Sequence, residues 1–164
     1  MSRAVLSLGS NLGDRLAHLR SAVDGFGDAV VAVSPVYETA PWGVTDQPDF
    51  LNAVLVVASA DVDEWGWLRR GQELERAAER VRELRWGPRT LDVDVVTVDG
   101  VRSEDPELLL PHPGTPARAT VLIPWSVVDP DAVLPGHGPV GDLVRALPAA
   151  ELDAVHRRDD LRLS

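Results

Sequence analysis

The chain has no cysteine and no lysine among its 164 residues. The first absence excludes a disulfide framework, a thiolate zinc site and a cysteine nucleophile, and it leads to the expectation of a reducing compartment. The second excludes a phosphate-binding loop of the Gly-X4-Gly-Lys-Ser/Thr type. Long apolar runs are missing too. The opening Met-Ser-Arg-Ala-Val-Leu-Ser-Leu-Gly is too short in its apolar part for a signal peptide or a membrane span, and no later segment approaches the length a spanning helix needs. A cytoplasmic location is therefore expected. Nor is there an excess of basic charge: the formal net charge of -10 weighs against general binding to nucleic acid or to an anionic membrane, since both rest on a basic surface.

What the chain does contain is enough for one core. Its length suits a single domain over residues 1–164, long enough to fold without disulfides or a structural metal, and no internal repeat, low-complexity tract or linker marks a second unit. One active site and a monomer are the corresponding expectations. The basic residues are all arginine, and seven of the sixteen lie between Arg69 and Arg89. A guanidinium offers a planar donor fork that matches phosphate oxygens, so a local cationic patch on an acidic protein suits a small polyphosphate. A helix face balanced by Glu73, Glu75, Glu79 and Glu83 is the competing reading, and the preferred one for Arg69, Arg70 and Arg76.

Residues 4–9 read as a strand, Gly-Ser-Asn-Leu-Gly-Asp as a turn, and residues 14–26 as a helix. Extended runs follow over 30–39 and 50–58, separated by a loop rich in proline and glycine. Asp61 with Glu64 fits a capping box for a helix running to about Glu79. Gly87-Pro88 breaks the chain before a fourth strand over 90–98, which closes on Asp99-Gly100, a hairpin signal. The order β-α-β-β-α-β predicts an α+β, ferredoxin-like fold: an antiparallel sheet with two helices on one face. Beyond it a C-terminal extension carries a short apolar helix near 121–128 and a final segment near 140–147, and the last dozen residues are polar enough to fray.

Asp92 and Asp94 are two apart in a strand, so their carboxylates emerge on one face while Leu91, Val93 and Val95 point into the core. Such a pair can hold magnesium, which takes oxygen ligands and is often completed by substrate phosphates; a solvated strand face is the plainer alternative. Immediately upstream, Arg85-Trp86-Gly87-Pro88-Arg89 brings two cations and an aromatic face. Phosphoryl-type transfer consists mostly of positioning and charge neutralisation, which metal ions and arginines share. Trp86 is equally readable as core. His112, between Pro111 and Pro113, is held rigidly enough to donate a hydrogen bond to a phosphate, or is a loop histidine without a role. No nucleophilic triad is recognisable, so direct transfer between two bound substrates is the simpler mechanism. Pro41, Trp42, Phe50 and Asn52 can grip a flat heterocycle by stacking and amide hydrogen bonding, unless Phe50 is core and Asn52 a strand-start cap.

Taken in order, Gly-Ser-Asn-Leu-Gly-Asp, Asp-Gln-Pro-Asp-Phe-Leu-Asn-Ala, Arg-Trp-Gly-Pro-Arg-Thr-Leu-Asp-Val-Asp, Pro-His-Pro and Val-Leu-Ile-Pro-Trp resemble the 6-hydroxymethyl-7,8-dihydropterin pyrophosphokinase family over residues 3–147. The resemblance implies that ATP donates its β,γ-diphosphate to a pterin hydroxymethyl group, leaving AMP, with two magnesium ions bound by Asp92 and Asp94. By the same resemblance, Arg80 and Arg89 stabilise the transferring group, and Gln72, Arg82, Arg85, Trp86, His112 and Arg118 line the ATP side. Thr39, Pro41, Trp42, Phe50 and Asn52 surround the pterin, and the loops 41–48 and 80–88 close over the substrates. Two departures stand out: the stretch 80–86 is one residue shorter than in some relatives, and Thr120 replaces an aromatic residue that stacks on the second pterin face. A catalytically silent nucleotide-binding module of the same fold would be expected to lack a metal carboxylate or Asn52, and an RNA-binding domain would need a basic sheet face.

Overall fold

A computed structural model describes residues 2–40, 48–79 and 90–163. The elements in chain order are β1 (Ser2–Ser10), α1 (Arg15–Phe26), β2 (Val30–Val33), β3 (Tyr37–Thr39), β4 (Phe50–Ser59), α2 (Glu64–Glu79) and β5 (Asp92–Val98). There follow β6 (Ser103–Asp105), β7 (Leu108–Leu110), α3 (Ala119–Val128), β8 (Val133–Leu134), β9 (Gly138–Pro139), α4 (Val140–Ala146), α5 (Ala149–Asp153) and β10 (Val155–Arg157). The main sheet is antiparallel with the order β10-β3-β4-β1-β5, and β2 also pairs with β4. The expected first, second, third and fourth strands thus stand in the ferredoxin-like arrangement, fourth beside first beside third beside second.

Local chemistry sets the boundaries. Asp14 caps α1 by accepting from the Ala17 N–H at 3.1 Å, and Gly27, at φ 52°, closes its end by donating to the Val23 carbonyl. The expected run over 30–39 is split into β2 and β3 by Ser34-Pro35-Val36. Proline has no N–H for the ladder, and Ser34 bridges the gap: its N–H donates to the Val54 carbonyl and its Oγ accepts from the Val54 N–H. The cap of α2 is Asp63, not Asp61, because Asp63 directly precedes the first helical residue and its Oδ1 accepts from the Gly66 N–H at 2.7 Å. After Asp99-Gly100 a single bridge joins Val98 to Val101, and the next two strands, β6 and β7, pair with each other.

Strand alternation divides the apolar residues between two cores. Ala4, Leu6 and Leu8 of β1, with Leu55 and Val57 of β4 and Val93 and Val95 of β5, pack with Leu19, Ala22 and Phe26 of α1 and Trp67 of α2. Trp67 is fully buried and its Nε1 donates to Ser2 Oγ at 2.9 Å, which satisfies the indole N–H. Val5, Val54 and Val96 face the other way, against Val121, Leu122 and Trp125 of α3, Leu134 and Val140. The register between β1 and β5 slips between Val5 and Leu6, where Val96 is the extra residue, so Val95 and Val96 serve opposite faces.

The C-terminal segment, as far as Leu163, is tied to the body of the fold. β10 pairs with β3, Arg158 donates its backbone N–H to the Val36 carbonyl, and Leu161 and Leu163 pack on the first core. The physical reason is the free edge of β3, a row of unpaired backbone groups that β10 covers.

Candidate active site

On the α3 face, β1 continues past the helix, and there Ser7 and Gly9 form the floor of a cavity of about 590 Å3. Register places the rest. Gly9 lies opposite Asn52 on β4 and opposite Asp92 on β5, while Ser7 lies opposite Asp94. Directly opposed residues of antiparallel strands share a face, so an amide, a glycine and a carboxylate stand in one row across the sheet. Gly9 leaves open space in that row: a Cβ built there would lie 3.5 Å from Asn52 Oδ1 and 3.9 Å from Phe50 Cδ1.

The cavity has two chemically distinct ends. At one, Asn52 and Thr39 are buried, and Asn52 Nδ2 donates to Thr39 Oγ1 at 3.0 Å. That bond fixes the amide with its carbonyl oxygen toward Gly9, beside the half-buried Phe50 ring. At the other end, Asp92 and Asp94 of β5 meet Arg118, which immediately precedes α3. Arg118 Nη1 is 3.8 Å from Asp94 Oδ2, with both side chains 42% exposed. An ion pair so long and so wet adds little stability, which leaves both groups available to a ligand. The N-terminal end of α3, with Ala117, Ala119 and Thr120, opens onto the same end, and a helix N-terminus favours an anion.

Of the residues singled out in the sequence, the cavity brings together Thr39, Phe50, Asn52, Asp92, Asp94 and Arg118. Gln72 is exposed on α2 and does not line it. His112 is also outside the lining; its N–H donates to the Val96 carbonyl at 2.8 Å, which ties its loop to β5. Pro41, Trp42, Arg80, Arg82, Arg85, Trp86 and Arg89 lie outside the described residues, as do the two loops expected to close. Sequence reasoning missed Ser7 and Gly9, although alternation along β1 puts them on one face. It also missed Glu151, Ala154 and Val155, for which the local sequence carries no signal.

The end of the cavity with Thr39 is braced from outside. Glu38 accepts from Arg15 Nη1 at 2.8 Å and from Arg158 Nη1 at 2.9 Å, and the same Arg15 nitrogen donates to the Asp49 carbonyl at 2.7 Å. One cluster thereby links α1, the strand that carries Thr39, the residue before Phe50, and the C-terminal segment. Burial pushes the Glu38 carboxyl up, but hydrogen bonds and charge from the two arginines outweigh it and hold it below its ordinary value. Burial dominates at Tyr37 and raises its phenol, with Arg157 opposing.

An antiparallel α+β sheet whose open face joins two carboxylates and an arginine to an amide-lined recess defines a protein that can hold an anionic group next to a flat polar one. Over residues 5–130 the chain matches the family described as 7,8-dihydro-6-hydroxymethylpterin-pyrophosphokinase (HPPK), and it belongs to that family. It is 51% identical over 167 residues to the 2-amino-4-hydroxy-6-hydroxymethyldihydropteridine pyrophosphokinase of Mycobacterium tuberculosis, covering 94% of this chain and 89% of that one. The protein of the same name from Mycobacterium leprae is 52% identical over 168 residues, covering 96% and 86%. Among solved structures, an HPPK-DHPS in complex with substrates has a TM-score of 0.67 at 10% identity, and wild-type Plasmodium falciparum HPPK-DHPS has 0.64 at 13%. Each covers 88% of this chain, which spans less than half of those chains, 43% and 44%; the likeness is one of fold.

Proposed function

We propose that this chain transfers diphosphate from ATP to 6-hydroxymethyl-7,8-dihydropterin, giving AMP and the pterin diphosphate, in the biosynthesis of tetrahydrofolate. Its membership of the pyrophosphokinase family supports the reaction, and the single structural observation that carries it is the row Asn52, Gly9 and Asp92 across the cavity floor. The row sets a recess for a heterocycle directly beside carboxylates suited to a phosphate-bound cation.

In this reading the pterin lies at the Thr39 end, stacked on Phe50, with Asn52 Oδ1 accepting a hydrogen bond from the heterocycle. Its hydroxymethyl group then points toward Asp92 and Asp94. The hydroxyl oxygen forms a bond to the β-phosphorus of ATP, the bond from that phosphorus to the α,β-bridging oxygen breaks, AMP takes the electron pair, and the hydroxyl proton passes to solvent. Arg118 and the N-terminal end of α3 favour the anionic donor, and Pro41, Trp42, Arg80, Arg82, Arg85, Trp86, Arg89, Gln72 and His112 complete the site in the roles the family resemblance gives them. The two carboxylates of Asp92 and Asp94, on one strand face and both at the cavity, fit magnesium and would hold it beside the phosphates of the donor. Two such ions, when bound, neutralise charge on the phosphates. A monomeric, cytoplasmic, single-domain enzyme is part of the same proposal.

The test is AMP release from ATP and magnesium, with and without the pterin, for the native chain and for Asp94→Ala. AMP is expected only with the pterin, with a loss of about 100-fold or more in the variant. ATP binding without pterin-dependent AMP would instead identify a silent nucleotide-binding module.

A further inference from the structure

The family match ends at residue 130, yet the wall of the cavity does not. Glu151 of α5, with Ala154 and Val155 at the start of β10, lines it as well. Their placement is determined by register: Val155 pairs with Thr39, so this wall rises beside the Asn52–Thr39 recess and on the sheet edge away from β5 and its carboxylates. The wall is firmly attached, since Arg158, just beyond β10, is held by Glu38, Asp160 and the Val36 carbonyl.

Glu151 is the chemically active member of this wall. Its side chain is half-buried at the cavity, and it forms no hydrogen bond or ion pair with any other described side chain. A carboxylate in that position repels phosphate and attracts N–H groups. The 2-amino-4-hydroxypteridine ring, in its lactam form, presents a ring N–H beside an exocyclic amino group. These two parallel donors make the same kind of fork that lets a guanidinium bind a carboxylate through two hydrogen bonds. We propose that residues 149–157 form a specificity wall of the active site, and that Glu151 recognises the amino-amide edge of the heterocycle while turning the phosphates toward Asp92 and Asp94. The inference rests on the pyrophosphokinase reading and adds to it a residue and a segment that lie outside the family match.

The experiment uses the full-length chain with ATP, magnesium and 6-hydroxymethyl-7,8-dihydropterin, and compares Glu151→Gln and Glu151→Asp with the native residue. Glu151→Gln keeps the size but loses the charge, and is expected to raise the KM for the pterin about tenfold or more. The KM for ATP and the melting temperature stay unchanged, and Glu151→Asp recovers part of the effect. An unchanged pterin KM in Glu151→Gln overturns the proposal, and so does an equal rise in both KM values or a lowered melting temperature, each of which marks a structural role. The native chain in the same assay separates this from the wider reading: pterin-dependent AMP release by the native protein upholds the reaction whatever the variants do, and its absence removes the reaction and the inference together.

Discussion

Gly9 shows how a missing side chain can define a site. It stands between Asn52 and Asp92 on the cavity floor, and a methyl group there would make only ordinary contacts, at 3.5 Å and 3.9 Å, with Asn52 and Phe50. Gly9→Ala is therefore compatible with the fold, but it fills the floor over which the heterocycle would lie. Steady-state kinetics on this variant are expected to show the pterin KM raised about tenfold or more, with the ATP KM and the melting temperature close to native. Sequence reasoning placed Asp92 and Asp94 correctly on one face, because that follows from a period of two along a single strand. It read Gly9 as the last residue of the first strand and the first of a turn, with no part in the site. What Gly9 faces depends on register with two other strands, and no local pattern encodes that.

At the level of elements, the C-terminal segment departs furthest from expectation. Its polar composition suggested fraying, yet β10 closes the edge of β3, and Arg158 shares Glu38 with Arg15. Glu38 has a folded pKa below its ordinary value of 4.5, so the stability it contributes is present above that value and is lost as the pH falls through the lower folded one. Thermal unfolding measured from pH 7 to pH 3 should show Glu38→Gln less stable than native at pH 7, by roughly 1 kcal/mol, with the gap narrowing once the pH drops below about 4.5. A gap that stays constant across that range would show that the carboxylate charge is not what holds the segment. The split of residues 30–39 into β2 and β3 was equally hidden: Pro35 was visible, but the Ser34 bridge to Val54 that keeps both halves on β4 was not.

Across the whole molecule, one sheet serves two cores, with Trp67 buried on one face and Trp125 on the other. Because the strands are common to both, neither core can come apart alone, and the described residues are expected to unfold as one unit. Far-UV circular dichroism and tryptophan fluorescence, followed through the same denaturant titration, should give coincident transitions; two separated midpoints would show that the α3 side unfolds independently. The amino-acid sequence by itself determined the helix or strand character of the β-α-β-β-α-β core, its order, the pairing of Asp92 with Asp94 and the family, because each depends on short-range periodicity or on contiguous motifs. Tertiary structure alone decided that Asn52, Gly9 and Asp92 form one row, that α3 leaves the end of the sheet open as a cavity, and that Gln72 and His112 stay outside its lining. It also decided that residues near the C-terminus become a wall of the site. The reason is the same in each case: strand register and edge pairing are contacts between residues far apart in the chain, and their energy is not written in any local stretch.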